Sequence, residues 1–143
     1  MIYLEKPENF DPSFEVVGNF IQCDGYIILL HRQDHKPEGG TWGIPSGKID
    51  PGETMSITAH RETKEETGLI IPEENFKFFK TVYVRYPTYD FVYHMFSLEL
   101  NEKFAIMISE KEHKESQWIK PQEAFNLPLI EDLDVCLKLF FNL

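Results

Sequence analysis

Apolar and polar positions alternate from Glu15 to Gln22 and again from Tyr26 to Arg32, which predicts two strands. Cys23-Asp24-Gly25 lies between them, and a glycine where positive φ is easy predicts a hairpin. The stretch Gln33 to Thr41 is polar and carries glycines, so it reads as a loop. A short apolar piece, Trp42 to Pro45, and a Pro51-Gly52 turn follow. Periodicity then changes to that of a helix from about Thr54, a candidate N-cap, to Thr67, with Gly68 placed to end it. Phe76–Arg85 and Phe91–Leu100 predict a second hairpin around Pro87-Thr88-Tyr89-Asp90. Gln117–Lys120 reads as a short strand, Pro121–Asn126 as a short helix and Glu131–Phe141 as a C-terminal packing helix. Strands with a helix between them and another at the end predict one α/β layered domain over residues 1–143.

The central helix is unusual in what it places on one face. At about 100° per residue, Glu62, Glu65 and Glu66 share an arc of roughly 100°. Met55 and Ala59 share that side, so the carboxylates are expected to face partly inward, while His60, Lys64 and Thr67 occupy the far side. Like charges at this spacing repel, more so where water is scarce. Hard oxygen donors crowded in a half-buried place suit Mg²⁺ or Mn²⁺. The bland alternative is a solvated acidic face supported by Arg61 and Glu65 at i,i+4.

Composition narrows the classes. With 24 acidic and 14 basic residues the formal charge is −10, which argues against a nucleic-acid polymer as partner. A phosphate substrate is then expected to be small and held locally by metal. No apolar run is long enough to span a membrane and the N-terminus lacks the pattern of a signal peptide, so a cytoplasmic protein is expected. Cys23 and Cys136 belong to no CxxC or Cys/His cluster and read as small buried or half-buried thiols.

Residues 47–69, GKIDPGETMSITAHRETKEETGL, resemble the Nudix box: Gly47, Glu53, Arg61, Glu62, Glu65, Glu66, Gly68 and the apolar Leu69 stand at its spacing. Background residue frequencies give such a match at roughly one start in 10⁸. Two positions depart from the pattern. Thr63 stands where the family wants an aliphatic residue, at an expected cost in packing, and Ser46 replaces a commoner glycine.

The resemblance implies an α/β/α sandwich around a mixed sheet. It implies that Glu62, Glu65, Glu66 and the Ser46 carbonyl hold Mg²⁺, with Mn²⁺ as an alternative. Glu53 and Arg61 would brace the loop-helix-loop, and Gly47 and Gly52 would allow a tight loop. A further carboxylate is expected ahead of Trp118-Ile119, with Glu112 of Glu112-His113 the candidate base or water-orienting group and Glu110 and Glu115 as alternatives.

The implied reaction is hydrolysis of a pyrophosphate bond in a nucleoside diphosphate linked to a group X, by a monomer or homodimer. Some relatives that cleave ADP-ribose carry a proline at a set distance past the box. Tyr83 stands there instead and Pro87 is out of register, which favours a nucleoside triphosphate or a related nucleotide. ADP-ribose, nucleotide-sugars and dinucleoside polyphosphates are the alternatives. A silent nucleotide sensor of the same fold would be expected to have lost box glutamates, and all four are present. For substrate contacts, Arg32, Lys48 and Arg85 are candidates for phosphate, and Tyr83, with Phe20, Tyr86, Tyr89 and Phe91, for stacking on a base.

Overall fold

The fold is built around one long strand that changes partner part-way along. In the computed structural model, which describes residues 1–143, eleven helices and strands follow one another. They are β1 (Ile2–Tyr3), β2 (Pro12–Cys23), β3 (Tyr26–Arg32), β4 (Trp42–Gly43), β5 (Ser46–Lys48) and α1 (Met55–Thr67), then β6 (Lys77–Arg85), β7 (Asp90–Glu99), β8 (His113–Ile119), α2 (Pro121–Ala124) and α3 (Leu133–Phe141). A single 3₁₀ turn, Glu73–Asn75, precedes β6.

The expected hairpin forms: Gln22 pairs with Ile27 and Cys23 with Tyr26 across a turn in which Asp24 and Gly25 both have positive φ. After two pairs, however, β3 diverges from β2, and β5 takes its place with Val17 opposite Gly47 and Gly18 opposite Ser46. The other edge of β2 runs parallel to β7, from Pro12↔Asp90 to Gln22↔Glu99. The sheet order is β1-β6-β7-β2-β3-β4, with β5 on β2 and β8 on β3, and the β2–β7 pair makes it mixed. Strand β8 begins at His113, earlier than expected, because β3 offers it an edge as far as Arg32.

Alternation decides the layers. Val17, Ile21, Ile28 and Leu30 face α1 with Ala59, Phe96 and Leu98. Phe20, Ile27, Leu29, Val82 and Met95 face the opposite way and pack on Leu133, Cys136 and Leu137 of α3. Helices thus cover both faces of the sheet, an α/β/α sandwich. Both cysteines are free and buried. Phe20, a stacking candidate from the sequence, belongs to this core, where its ring stacks on Phe140 at 4.3 Å. No helix is long and apolar enough to cross a membrane.

Helix α1 starts and stops where the sequence indicates. The Thr54 hydroxyl accepts from the Ile57 N–H at 3.2 Å, and Gly68, at φ 77°, donates its N–H to the Lys64 carbonyl. Its inward face differs in detail from expectation. Thr58, Ala59, Glu62, Thr63, Glu66 and Thr67 are buried, whereas Met55 is exposed. Burial begins only at Thr58, and Met55 and Ile57 of the first turn are exposed. Thr67 is tolerated inside because its hydroxyl bonds to the Thr63 carbonyl. Nor does Thr63 pack as a poor aliphatic residue: the buried Asn19 of β2 donates to its hydroxyl at 3.1 Å and to the Ala59 carbonyl at 3.3 Å. The helix is pinned to the sheet by a polar pair that the sequence alone did not disclose.

Candidate functional site

The site lies where β5 pairs with β2 and α1 lies against it. Gly47 does not need unusual backbone angles, contrary to expectation; its role is room. A Cβ at that position would overlap the Glu62 carboxyl group. Gly52, at φ 84°, does require the left-handed region and makes the turn ahead of Glu53.

Arg61 organises the acidic side of α1. Its Nε and Nη2 grip Glu53 at 2.7 and 2.9 Å, Nη1 reaches Glu62 at 2.7 Å and Glu65 at 3.3 Å, and Nη2 also donates to the Lys48 carbonyl. Glu53 in turn accepts from the Asp50 N–H and the Thr58 hydroxyl. The Arg61 hydrogen bonds, with these two, hold the Glu53 carboxyl down at about 2. One guanidinium thereby ties the 48–53 loop to the helix.

Glu62 and Glu66 are in the opposite situation. They are 8% and 9% exposed, and burial pushes both carboxyls above their ordinary range. For Glu62 the Arg61 contacts offset part of that rise. For Glu66 the charge of Glu62 adds to it, the Ser46 N–H, donating to Oε1 at 3.1 Å, offsets some, and Glu112 contributes further repulsion. Glu65 points outward, its side chain 55% exposed.

Ser46, Gly47, Lys48, Asp50, Glu62, Glu65, Glu66, Ser109 and Glu112 line one open depression without a single apolar side chain. Glu112 therefore joins the box carboxylates across more than forty positions of sequence. Glu110 and Glu115 do not. The Glu110 carbonyl anchors Gln33, and Glu115 lies on β8 beside His31, its Oε1 3.5 Å from Nδ1.

No three acidic or imidazole groups are arranged as a ready-made metal cage. The donor chemistry nevertheless fits a hard divalent cation. Two adjacent buried carboxylates repel each other, a third faces them across the depression, and only Lys48 supplies positive charge to its lining.

Ser46 and Glu66 also line a second cavity, of about 200 Å³, on the other side. Its walls are mainly aromatic and aliphatic and include Phe14, Tyr86, Tyr89, Phe91 and Tyr93. Phe14 stacks on Phe91 at 5.4 Å, and Tyr86 meets Phe91 edge-on at 5.4 Å. Tyr86, Tyr89 and Phe91, named from the sequence as stacking candidates, all line this cavity; Phe14 and Tyr93 were missed, since only the parallel β2–β7 pairing brings them there. Arg32 and the buried His113 line the same cavity. Burial, with Arg32 nearby, pushes the His113 imidazole down to about 4, so it is neutral at pH 7.

The remaining substrate candidates separate. Lys48 lines the depression and lies over the Phe14 ring at 4.2 Å. Tyr83 and Arg85 line neither space. Tyr83 packs edge-on against Phe10, and Arg85 grips Asp90 through Nε at 3.0 Å and Nη2 at 3.1 Å while also holding the carbonyls of Glu8 and Asn9. Their sequence assignment to substrate is corrected accordingly: Arg85 closes the β6–β7 hairpin and straps down the segment before β2.

Comparison with known proteins agrees with this layout. The NUDIX domain model matches residues 13–140. The chain is 28% identical over 117 residues to the CTP pyrophosphohydrolase of Escherichia coli, covering 80% of this chain and 82% of that protein. It is 30% identical over 109 residues to the NAD-capped RNA hydrolase NudC of Haemophilus influenzae, but those residues span only 38% of that protein. Among solved structures, the MutT protein of Methanosarcina mazei superimposes with a TM-score of 0.77 at 21% identity, over 92% of this chain and 94% of that one. The box spacing, the sandwich that presents it and the domain match lead to one assignment: the chain belongs to the Nudix family of pyrophosphohydrolases.

Proposed function

We propose that this chain, working as one Nudix domain in the cytoplasm, hydrolyses the pyrophosphate linkage of a small nucleotide, with a nucleoside triphosphate as the favoured substrate and Mg²⁺ as the favoured metal. The observation that carries this reading is that the acidic depression and the aromatic cavity share Ser46 and Glu66 as a common wall. A nucleotide laid across that wall would have its base among Phe14, Tyr86, Tyr89 and Phe91 and its phosphates against Glu62, Glu66 and Glu112. The match over most of the E. coli CTP pyrophosphohydrolase supports a triphosphate substrate. The charge of −10 argues against a polymeric RNA substrate.

Glu62, Glu66 and the Ser46 carbonyl would hold the metal, with Glu65 able to join by turning inward. A divalent cation supplies positive charge against phosphate oxygens and lowers the pKa of water. The chain's own residues do the placing. Arg61 fixes the Glu62 carboxylate, and Glu53 fixes Arg61. Glu112 lines the depression, where its carboxylate would orient a water and take its proton. Lys48 offers the phosphates a cation at the rim.

A screen over nucleoside triphosphates, with inorganic pyrophosphatase added to turn released pyrophosphate into phosphate, and over ADP-ribose, nucleotide-sugars and dinucleoside polyphosphates, with alkaline phosphatase added to act on the monoester products, tests this reading. Turnover of at least one triphosphate, lost on adding EDTA and restored by Mg²⁺, is expected. Turnover unaffected by EDTA, or none across the panel, would contradict it.

The role of Glu112 has its own test. Glu112→Gln is expected to lower kcat by about 10²-fold at nearly constant KM, because orienting a water matters chiefly in the transition state. Glu110→Gln and Glu115→Gln, outside the depression, should remain near normal under the same metal concentration. A Glu115→Gln enzyme more impaired than Glu112→Gln would move the role to Glu115.

A further inference from the structure

The loop from Gln33 to Thr41 has no part in the box, yet it is stitched to the segment that carries Glu112. The Gln33 N–H donates to the Glu112 carbonyl at 3.0 Å, and the Gln33 side-chain amide donates to the carbonyls of Glu110 and His113 at 2.9 and 3.2 Å. One residue of this loop touches the Glu112 carboxylate itself. Lys36 Nζ donates to Glu112 Oε1 at 3.1 Å, the lysine side chain 28% exposed and the glutamate 43%. A second ion pair, Lys114 Nζ to Asp34 at 2.8 Å, joins the same loop to the start of β8 but lies away from the depression.

The setting gives the Lys36 contact a purpose. Glu112 shares its depression with Asp50, Glu62, Glu65 and Glu66, against Lys48 alone. Repulsion from Glu66 favours a rotamer in which Glu112 turns away into solvent. An ammonium bonded to one carboxylate oxygen offsets that repulsion and leaves the second oxygen out of the bond, on a side chain that lines the depression. An ion pair this exposed contributes little to folding stability, so orientation rather than stability is what the contact supplies.

We infer that Lys36 is a positioning residue for the hydrolysis: it holds the Glu112 carboxylate facing the acidic depression, and the Gln33 hydrogen bonds fix the backbone from which that carboxylate projects. This rests on the reading of Glu112 as the water-orienting group. If Lys36 instead bound a substrate phosphate directly, its loss would raise KM and would add to the loss of Glu112. If it merely braced the loop, Lys114 would matter equally.

The experiment is a double-mutant cycle on this chain with CTP, or the triphosphate turned over fastest in the screen above, at saturating Mg²⁺, using Lys36→Met, Lys36→Arg, Glu112→Gln, the Lys36→Met/Glu112→Gln double variant and Lys114→Met, each with a thermal melt. Lys36→Met is expected to lower kcat at least tenfold with KM within about twofold and Tm nearly unchanged. Adding Lys36→Met to Glu112→Gln should cost no more than about twofold further, since the partner is already lost. Lys36→Arg should recover most of kcat, and Lys114→Met should remain close to normal. A Lys36→Met enzyme with normal kcat, one with raised KM and additive losses, or a Lys114→Met enzyme equally slow would overturn the inference while leaving the Glu112 reading intact. A Glu112→Gln enzyme of normal kcat would overturn both.

Discussion

Glu66→Gln is expected to lower kcat/KM by at least about 10²-fold and, in the same protein, to raise the stability of the metal-free form. The glutamine is nearly isosteric, and its side-chain oxygen keeps the hydrogen bond from the Ser46 N–H. What disappears is a negative charge at a position 9% exposed, beside Glu62 and facing Glu112. Burial and that repulsion raise the folded-state pKa above the ordinary 4.5, so the folded protein binds this proton more tightly than the unfolded chain does. A raised folded pKa means that stability is fully present below the ordinary value and is lost as pH rises through the folded one. Metal-free wild-type protein should therefore lose stability as pH rises above about 4.5, and Glu66→Gln should lose less. Thermal melts at pH 5 and pH 8 in EDTA, with Mn²⁺ added back, check both halves. Mn²⁺ should raise the wild-type Tm and leave that of the variant nearly unmoved. A variant less stable than wild type at pH 8, with hydrolysis intact, would show that this carboxylate neither repels its neighbours nor serves the reaction.

Arg61→Ala carries the second large effect, and Arg61→Lys separates charge from geometry. Alanine removes the forked grip on Glu53, the bond to Glu62 and the donor to the Lys48 carbonyl at once. Glu62 would be left among carboxylates without its neutralising partner, and the 48–53 loop would lose its tie to α1. A fall in Tm of about 5 °C or more, together with at least a 10²-fold loss of kcat, is expected. Lysine restores a positive charge but not the planar fork that serves Glu53 and Glu62 together. It should recover part of the stability and little of the activity. A lysine variant indistinguishable from wild type would mean that only the charge matters.

What the sequence discloses and what it conceals follow from the range of the interactions. Helix α1 was legible end to end because its caps, Thr54 and Gly68, and its Glu62–Glu65–Glu66 spacing are local. Arg61 and Glu53 were named through the resemblance to the box, and their side chains are hydrogen-bonded to each other twice. Glu112 was singled out only through the family's spacing ahead of Trp118, and the tertiary fold adds that it lines the depression while Glu110 and Glu115 do not. The long-range pairs were not legible. Asn19 meets Thr63 because β2 passes under α1, which turned an apparent packing defect into a hydrogen bond. Phe14 reaches the aromatic cavity through the parallel β2–β7 ladder, and Lys36 reaches Glu112 across two loops with no periodicity to reveal it. Arg85 was assigned to phosphate although Asp90, opposite it at the base of its own hairpin, is a partner a closer reading of the turn would have found.

The proposed seat of the divalent cation pairs Glu62 with Glu66 inside the acidic depression, and of the two only Glu66 also reaches the aromatic cavity. Titration of the full chain with Mn²⁺, followed by loss of the free-ion electron paramagnetic resonance signal, measures this without substrate or turnover. Wild-type protein is expected to take up Mn²⁺ saturably, with affinity reduced about 10-fold or more by either Glu62→Gln or Glu66→Gln and little changed by Glu110→Gln. Binding of equal strength in wild type and both box variants would contradict the claim.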